Sequence, residues 1–417
     1  MAVDANTGRG RKDGGRAGKM DRHGSSEGMT RRELDTILLH IMAEHPTLSD
    51  INFTVGKAIQ AEVDGFLRTA CTDLGIRALS PYQTENSALA LIGANRRNIN
   101  QLLIQGSCDL SYQLQDKARF RVNVFSQRGC YSVVMRLLPT RVPSLEELHS
   151  PEAFRQVARE LNGIVFVTGA TGSGKSTTLA AILNEINQNK AVHVVTLEDP
   201  VEFVHPQLKA TFNQRELGQD FDSFANGMRA ALRQAPKVIL VGEIRDRETM
   251  EIALGASETG HLVLTTLHTV DAAHTINRVV GMFELEEERL IRVRLADSLR
   301  WCISQRLLPK VGGGRVAAHE IMGTSLRVQD AILNGEAEGK TFYEMMQQAH
   351  PFGWTTFDDL IVDLYRQGLV TEDVALAYAS KRAVAKRGID RIKSRRGEKT
   401  TDIEGLKMDQ EYARHIT

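Results

Sequence analysis

The chain has 417 residues, enough for two or three domains, each with its own core. Its 52 Lys and Arg match its 52 Asp and Glu, so no global field points to nucleic acid or to an acidic partner. The low share of aromatic residues argues against base-stacking platforms, and no apolar run approaches the roughly 18 residues of a membrane span. Four scattered cysteines and no N-terminal leader pattern point to a soluble protein of the reducing cytoplasm.

Residues 1–28 are rich in Gly, Arg and Lys and poor in large apolar side chains, a composition that predicts a disordered tail. From Met29 onward, RRELDTILLHIMAE predicts a helix with Leu34, Ile37, Leu38 and Ile41 on one face. SDINFTV alternates Ile51, Phe53 and Val55, and AEVDGFLR reads as a strand. ARFRVNVF and YSVVMRLL bracket a turn at Gln127–Gly129 and read as a hairpin. Residues 29–138 are therefore expected to form a small α+β domain around an antiparallel sheet. Pro139 and Pro143 mark 139–149 as a stiff linker.

Ser150 and Pro151 read as the N-cap and first residue of a helix whose apolar stripe is Phe154, Val157, Ala158 and Leu161. Four apolar strands follow, GIVFVT, AVHVVTL, KVILVG and HLVLTTL, separated by helical patterns. Over 150–296 this rhythm predicts an α/β fold with a mostly parallel, doubly wound sheet. Residues 297–380 read as a helical region, and 381–417 as a basic, mixed-charge tail.

The strongest local signal is GATGSGKST: Gly169, Ala170, Thr171, Gly172, Ser173, Gly174, Lys175, Ser176 and Thr177. It follows a strand and opens a helix with Leu179, Ile182, Leu183 and Ile186 on one face. Glycines there let backbone N–H groups surround phosphate oxygens, Lys175 reaches the β- and γ-phosphates of ATP, and Ser176 binds Mg²⁺. Working residues of open α/β sheets gather at the carboxyl ends of strands. Here three such ends supply Glu198-Asp199, Glu243 with Asp246, and His268. A carboxylate in that position either holds Mg²⁺ through water or positions the water that attacks the γ-phosphate. A shared metal between His261 and His268 is excluded, because a strand of that length separates them by roughly 23 Å. His261 reads as structural, and His274 as surface or packing.

In order along the chain, GATGSGKSTTLAA, TLEDPVEFVH, ILVGEIRD and SETGHLVLTTLHTVDAAHTINRVV resemble the Walker A, Asp box, Walker B and His box of the secretion ATPase superfamily. Within it the chain resembles the type IV pilus retraction ATPases, the PilT and PilU type, over roughly residues 30–380; Ala170 stands where proline is usual. The resemblance implies a RecA-like P-loop ATPase core preceded by a PAS-like small domain and followed by C-terminal helices. It implies that Glu198 orients or activates water, that Glu243 supports Mg²⁺, and that His268 lies near the γ-phosphate. It also implies that Arg229 and Arg233 reach nucleotide phosphates around a ring, and that Arg121 and Arg136 fold over the nucleotide. The partners implied are five further copies in a homohexamer, the inner-membrane platform protein of the pilus and a paralogous retraction ATPase. The implied location is the cytoplasmic face of the inner membrane, with the linker at Pro139–Leu148 as hinge.

Absence of a four-cysteine insertion favours retraction over extension or secretion. Gln329 in VQDAILNGE replaces the arginine of a retraction motif and leans toward the accessory, PilU-like branch. The rivals are a Dot/Icm-like type IV secretion ATPase and, from another class, a RecA-like nucleic-acid motor. The second draws only on the basic run KRAVAKRGIDRIKSRRGEK, and the neutral chain argues against it.

Overall fold

The computed structural model describes residues 29–71 and 75–400, and two β-sheets organise them. The tail expected over 1–28 lies outside the described residues, as do residues 401–417 at the other end.

The first sheet is antiparallel and contains β1 (Leu48–Phe53), β2 (Gln60–Val63), β3 (Phe66–Thr69), β4 (Ser107–Leu114), β5 (Ala118–Gln127) and β6 (Cys130–Leu138), in the order β3-β2-β1-β6-β5-β4. Leu34, Leu38 and Ile41 of the helix Arg31–Glu44 are fully buried, as the spacing predicts, and share a core with Ile51, Phe53 and Phe120. A two-residue turn at Arg128–Gly129 joins β5 to β6, so the predicted hairpin is present. AEVDGFLR, by contrast, is two strands. Asp64 and Gly65 both take positive φ, and this Asp-Gly pair folds the segment into a hairpin of its own.

The second sheet holds β7 (Gly163–Thr168), β8 (His193–Glu198), β9 (Thr211–Glu216), β10 (Val238–Val241), β11 (Leu262–Leu267), β12 (Leu299–Pro309) and β13 (Arg315–Gly323). Their order is β13-β12-β7-β11-β10-β8-β9, with every pairing parallel except β12 with β13. All side chains of β7, β10 and β11 are buried, as expected of strands covered on both faces. Leu179, Ile182, Leu183 and Ile186 of the helix Lys175–Asn189 fill the core beneath it.

Several sequence expectations are corrected. The chain does not turn helical at 297: β12 and β13 extend the sheet beside β7. The burial of Ser304 and Gln305 within β12 breaks the apolar run that would have marked a strand. Ser150 and Pro151 do not start a helix; it spans Ala153–Arg159 with Glu152 at the cap position, whose side chain pairs with Arg155 rather than capping the backbone, and Leu161 lies beyond its end, 79% exposed. The segment read as a stiff linker is docked in part: Leu145 is buried in the second sheet's core, and Asn184 Nδ2 donates to Pro143 O at 3.1 Å. Within 381–417, Arg382–Arg396 is a helix rather than a tail. Its Ala385 and Ile389 are buried, Ile389 in a third core with Phe357 and Ile361, and Lys386 Nζ pairs with Glu372 at 2.7 Å.

The two sheets meet through polar contacts. Arg119 of β5 donates to Val201 O at 2.9 Å, and Ser111 of β4 donates to Glu216 of β9 at 2.8 Å.

Candidate active site

The carboxyl ends of the parallel strands border a cavity of about 600 Å³. At the end of β7, residues 169–174 turn into the helix Lys175–Asn189. Gly169 and Gly174 take φ of +141° and +91°. A Cβ on Gly169 would lie 2.4 Å from Gln305 O, and one on Gly174 would lie 2.7 Å from Gln305 Nε2. Both positions therefore require glycine, for the backbone angle and for the close approach of β12. Gln305 Oε1 also accepts from Thr178 at 2.7 Å, and Ser304 accepts from Thr168 at 2.9 Å, so β12 buttresses the whole loop. Lys175 Nζ lies over the loop, donating to Gly169 O at 2.8 Å and Ala170 O at 3.0 Å; burial lowers its pKa.

Glu198, at the end of β8, accepts from Thr196 Oγ1 at 2.5 Å and from Gln214 Nε2 at 3.2 Å. Burial pushes its carboxyl up to about 7, opposed by those two donors and reinforced by nearby Glu202. Asp199 beside it is also raised, by burial first, while Arg121 and Arg245 pull it down. Glu243 follows β10; its carboxylate pairs with Arg245 and lies 3.4 Å from His268 Nε2. Of the acids at these strand ends, Asp246 is a helix cap, accepting from Thr249 N at 2.8 Å, whereas Glu243 lines the cavity.

The cavity brings together Lys175, Ser176, Glu198, Glu243, His268 and, from β5 of the small sheet, Arg121. Thr171, Gly172, Gly174 and Thr177 line it too, while Gly169, Ala170 and Ser173 border an adjoining cavity of about 460 Å³ against Gln305. The other three arginines stand outside both cavities. Arg136, the cross-strand neighbour of Arg121, pairs with Asp50 at 2.9 Å. Arg229 hydrogen-bonds Glu248 at 2.5 Å, and Arg233 is the exposed C-cap of the helix Phe224–Leu232. His261 Nδ1 contacts Ala256 O at 3.0 Å and His274 Nδ1 contacts Asp271 at 2.7 Å, both away from the cavity.

Gln214 and Gln305 were not read from the sequence, because their roles depend on strand pairing rather than on a local motif. The β12–β13 pair adds a third buttress. Buried Glu320 of β13 accepts from Ala272 N at 3.0 Å, just beyond the His268 loop, and burial raises its carboxyl to about 7.

The site fits a nucleotide triphosphate with Mg²⁺. The loop is a glycine cradle ending at a helix N-terminus, its buried Ser173 hydroxyl has no protein partner, and Ser176 and Glu243 offer the hard oxygens that Mg²⁺ prefers. This fold and this site define a RecA-like P-loop ATPase. The sequence model of the family described as Type II/IV secretion system protein matches residues 57–348, well over half of the chain. The chain is 41% identical to the Type IV pilus retractation ATPase PilT of Pseudomonas aeruginosa over 78% of its own length and 93% of that protein's. Among solved structures, it superposes on the pilus retraction motor PilT with bound ADP at a TM-score of 0.74, with 38% identity, covering 84% of this chain and 99% of the other. The Legionella pneumophila ATPase DotB gives 0.73 at 33% identity, covering 83% and 94%. The chain belongs to the type II/IV secretion system ATPase family.

Proposed function

We propose that this protein is the ATP-hydrolysing motor that retracts a type IV pilus, acting as a homohexamer on the cytoplasmic side of the inner membrane. Supporting this reading are the convergence of Lys175, Ser176, Glu198, Glu243 and His268 on one cavity and the near full-length similarity to PilT. The amides of 169–174 and Lys175 bind the phosphates, and Ser176 and Glu243 would hold Mg²⁺, which would neutralise phosphate charge when bound. Glu198 orients the attacking water. Arg121 brings a guanidinium from the small sheet to the developing charge, and His268, beside Glu243, reads the γ-phosphate. Arg136, Arg229 and Arg233 would act between subunits or on closure, since none lines the cavity of a single chain. The hinge falls before Leu145, within the first residues after β6. The inner-membrane platform protein of the pilus and a paralogous retraction ATPase are the proposed partners.

No helix of the described residues is long and apolar enough to cross a membrane, so the proposed membrane association runs through the platform protein. A deletion strain should be hyperpiliated and lose twitching, and the wild-type gene should restore it while Lys175→Ala and Glu198→Gln should not. The structural likeness to DotB supports a second reading, a type IV secretion ATPase. Co-purification with a secretion complex in place of a pilus platform protein would establish that reading and overturn the first.

A further inference from the structure

The two oxygens of the Glu198 carboxylate have different surroundings. Oε1 receives both Thr196 Oγ1 and Gln214 Nε2. No side chain among the described residues donates to Oε2. The Gln214 amide is itself held from three directions: Nε2 also donates to Phe203 O at 2.8 Å, and Oε1 accepts from His205 N at 2.8 Å. The strand ladder explains the convergence. Parallel pairing of β8 with β9 sets Thr196 opposite Gln214 and Glu198 opposite Glu216. Side chains two apart on a strand share a face, so Thr196, Glu198 and Gln214 form one cluster.

We propose that Gln214 is a positioning residue for ATP hydrolysis: with Thr196 it anchors Glu198 by Oε1, which leaves Oε2 to take the proton of the attacking water. This rests on Glu198 being the group that activates water. In the step, the water oxygen bonds to the γ-phosphorus while the bond to the β–γ bridging oxygen breaks. ADP leaves with that electron pair, and the water proton passes to Oε2 and then to solvent. An unanchored carboxylate samples rotamers in which neither oxygen meets the water, and such misplacement costs rate rather than nucleotide affinity.

The test is steady-state ATPase kinetics on full-length Gln214→Leu and Thr196→Val, with ADP binding measured alongside. For Gln214→Leu the expected result is a kcat about 10–100-fold lower, with KM for ATP and Kd for ADP within about twofold of wild type. The acid limb of the kcat–pH profile should also move to higher pH in both variants, because each loses a donor that stabilises the ionised form. The other charged groups facing Glu198 (Glu202, Asp199, Glu243, Lys175, Arg121 and Arg245) stay in place, and the buried His205, lowered to about 4, stays neutral. If Gln214→Leu does not fold, Gln214→Met, which keeps the length of the side chain and adds no charge, removes the donor and should move the limb the same way. Wild-type kcat and an unmoved limb in Gln214 variants, with Glu198→Gln inactive, would overturn the assignment of Gln214 alone. Turnover that survives Glu198→Gln would overturn the role of Glu198 and the inference with it.

Discussion

On one flank of the cavity the phosphate loop leans on β12; on the other, Glu198 leans on β9. Strand β12 is interior, paired on both sides, and its Ser304 and Gln305 are buried against the loop. Strand β9 is an edge strand, and its Glu216 is tied to the small sheet through Ser111 and through Arg119, whose guanidinium lies 3.6 Å away. Binding thus rests on the permanent core, whereas the hydrolytic carboxylate rests on a strand that also answers to the other sheet. The two flanks should respond differently to mutation.

The largest separation is expected between Lys175→Ala and Glu198→Gln. The first should abolish nucleotide binding. The second should lower turnover by about 10²–10⁴-fold with ADP affinity preserved, read by calorimetry beside a phosphate-release assay. Equal loss of binding in both would erase the distinction between flanks. Next comes Gly169→Ala, which forces a Cβ to 2.4 Å from Gln305 O at a φ of +141°; it should cost about 3 kcal/mol and lower the Tm.

A pH experiment probes the β12–β13 flank. Glu320 titrates near 4.5 when unfolded and about 7 when folded, so the folded state holds its proton more tightly. That contribution is complete below about pH 4.5 and is lost as pH rises to about 7. Glu320→Gln keeps an oxygen for Ala272 N and carries no titrating group. Its stability relative to wild type should therefore climb across that window by up to about 3 kcal/mol, measured by denaturant melts at fixed ionic strength. A flat difference would mean that Glu320 is ionised in the fold. The smallest effect is expected at the sheet–sheet contact. Ser111→Ala removes one donor to Glu216 and should cost about 1 kcal/mol. On the comparison drawn above, that loss should reduce kcat more than it reduces ADP affinity.

Legibility in the sequence followed the range of the interactions. The loop 169–177 and the strand ends at Glu198, Glu243 and His268 were readable because a motif or an apolar run ends at each of them. Much of the small sheet was readable from alternation, but Asp64-Gly65 folded one run into two, and β4, with polar Asp109, Ser111 and Gln113 between its buried residues, was not read as a strand. What failed was β12–β13: its buried Ser304, Gln305 and Glu320 look like a surface pattern until the loop and helix they serve are in place. Gln214 failed for the same reason, since only the β8–β9 register brings it to Glu198. A buried polar side chain has its meaning in its partner, and these partners lie 16 to 136 positions away in the chain.

The two crowded glycines of the phosphate loop also differ in what a geneticist could recover. A side chain at Gly174 meets the end of the Gln305 side chain, so trimming residue 305 would remove that clash and leave only the strain of the backbone angle. A side chain at Gly169 meets the backbone oxygen of residue 305, which every amino acid carries. A search for second-site suppressors at 305 should yield partial revertants of Gly174→Ala and none of Gly169→Ala.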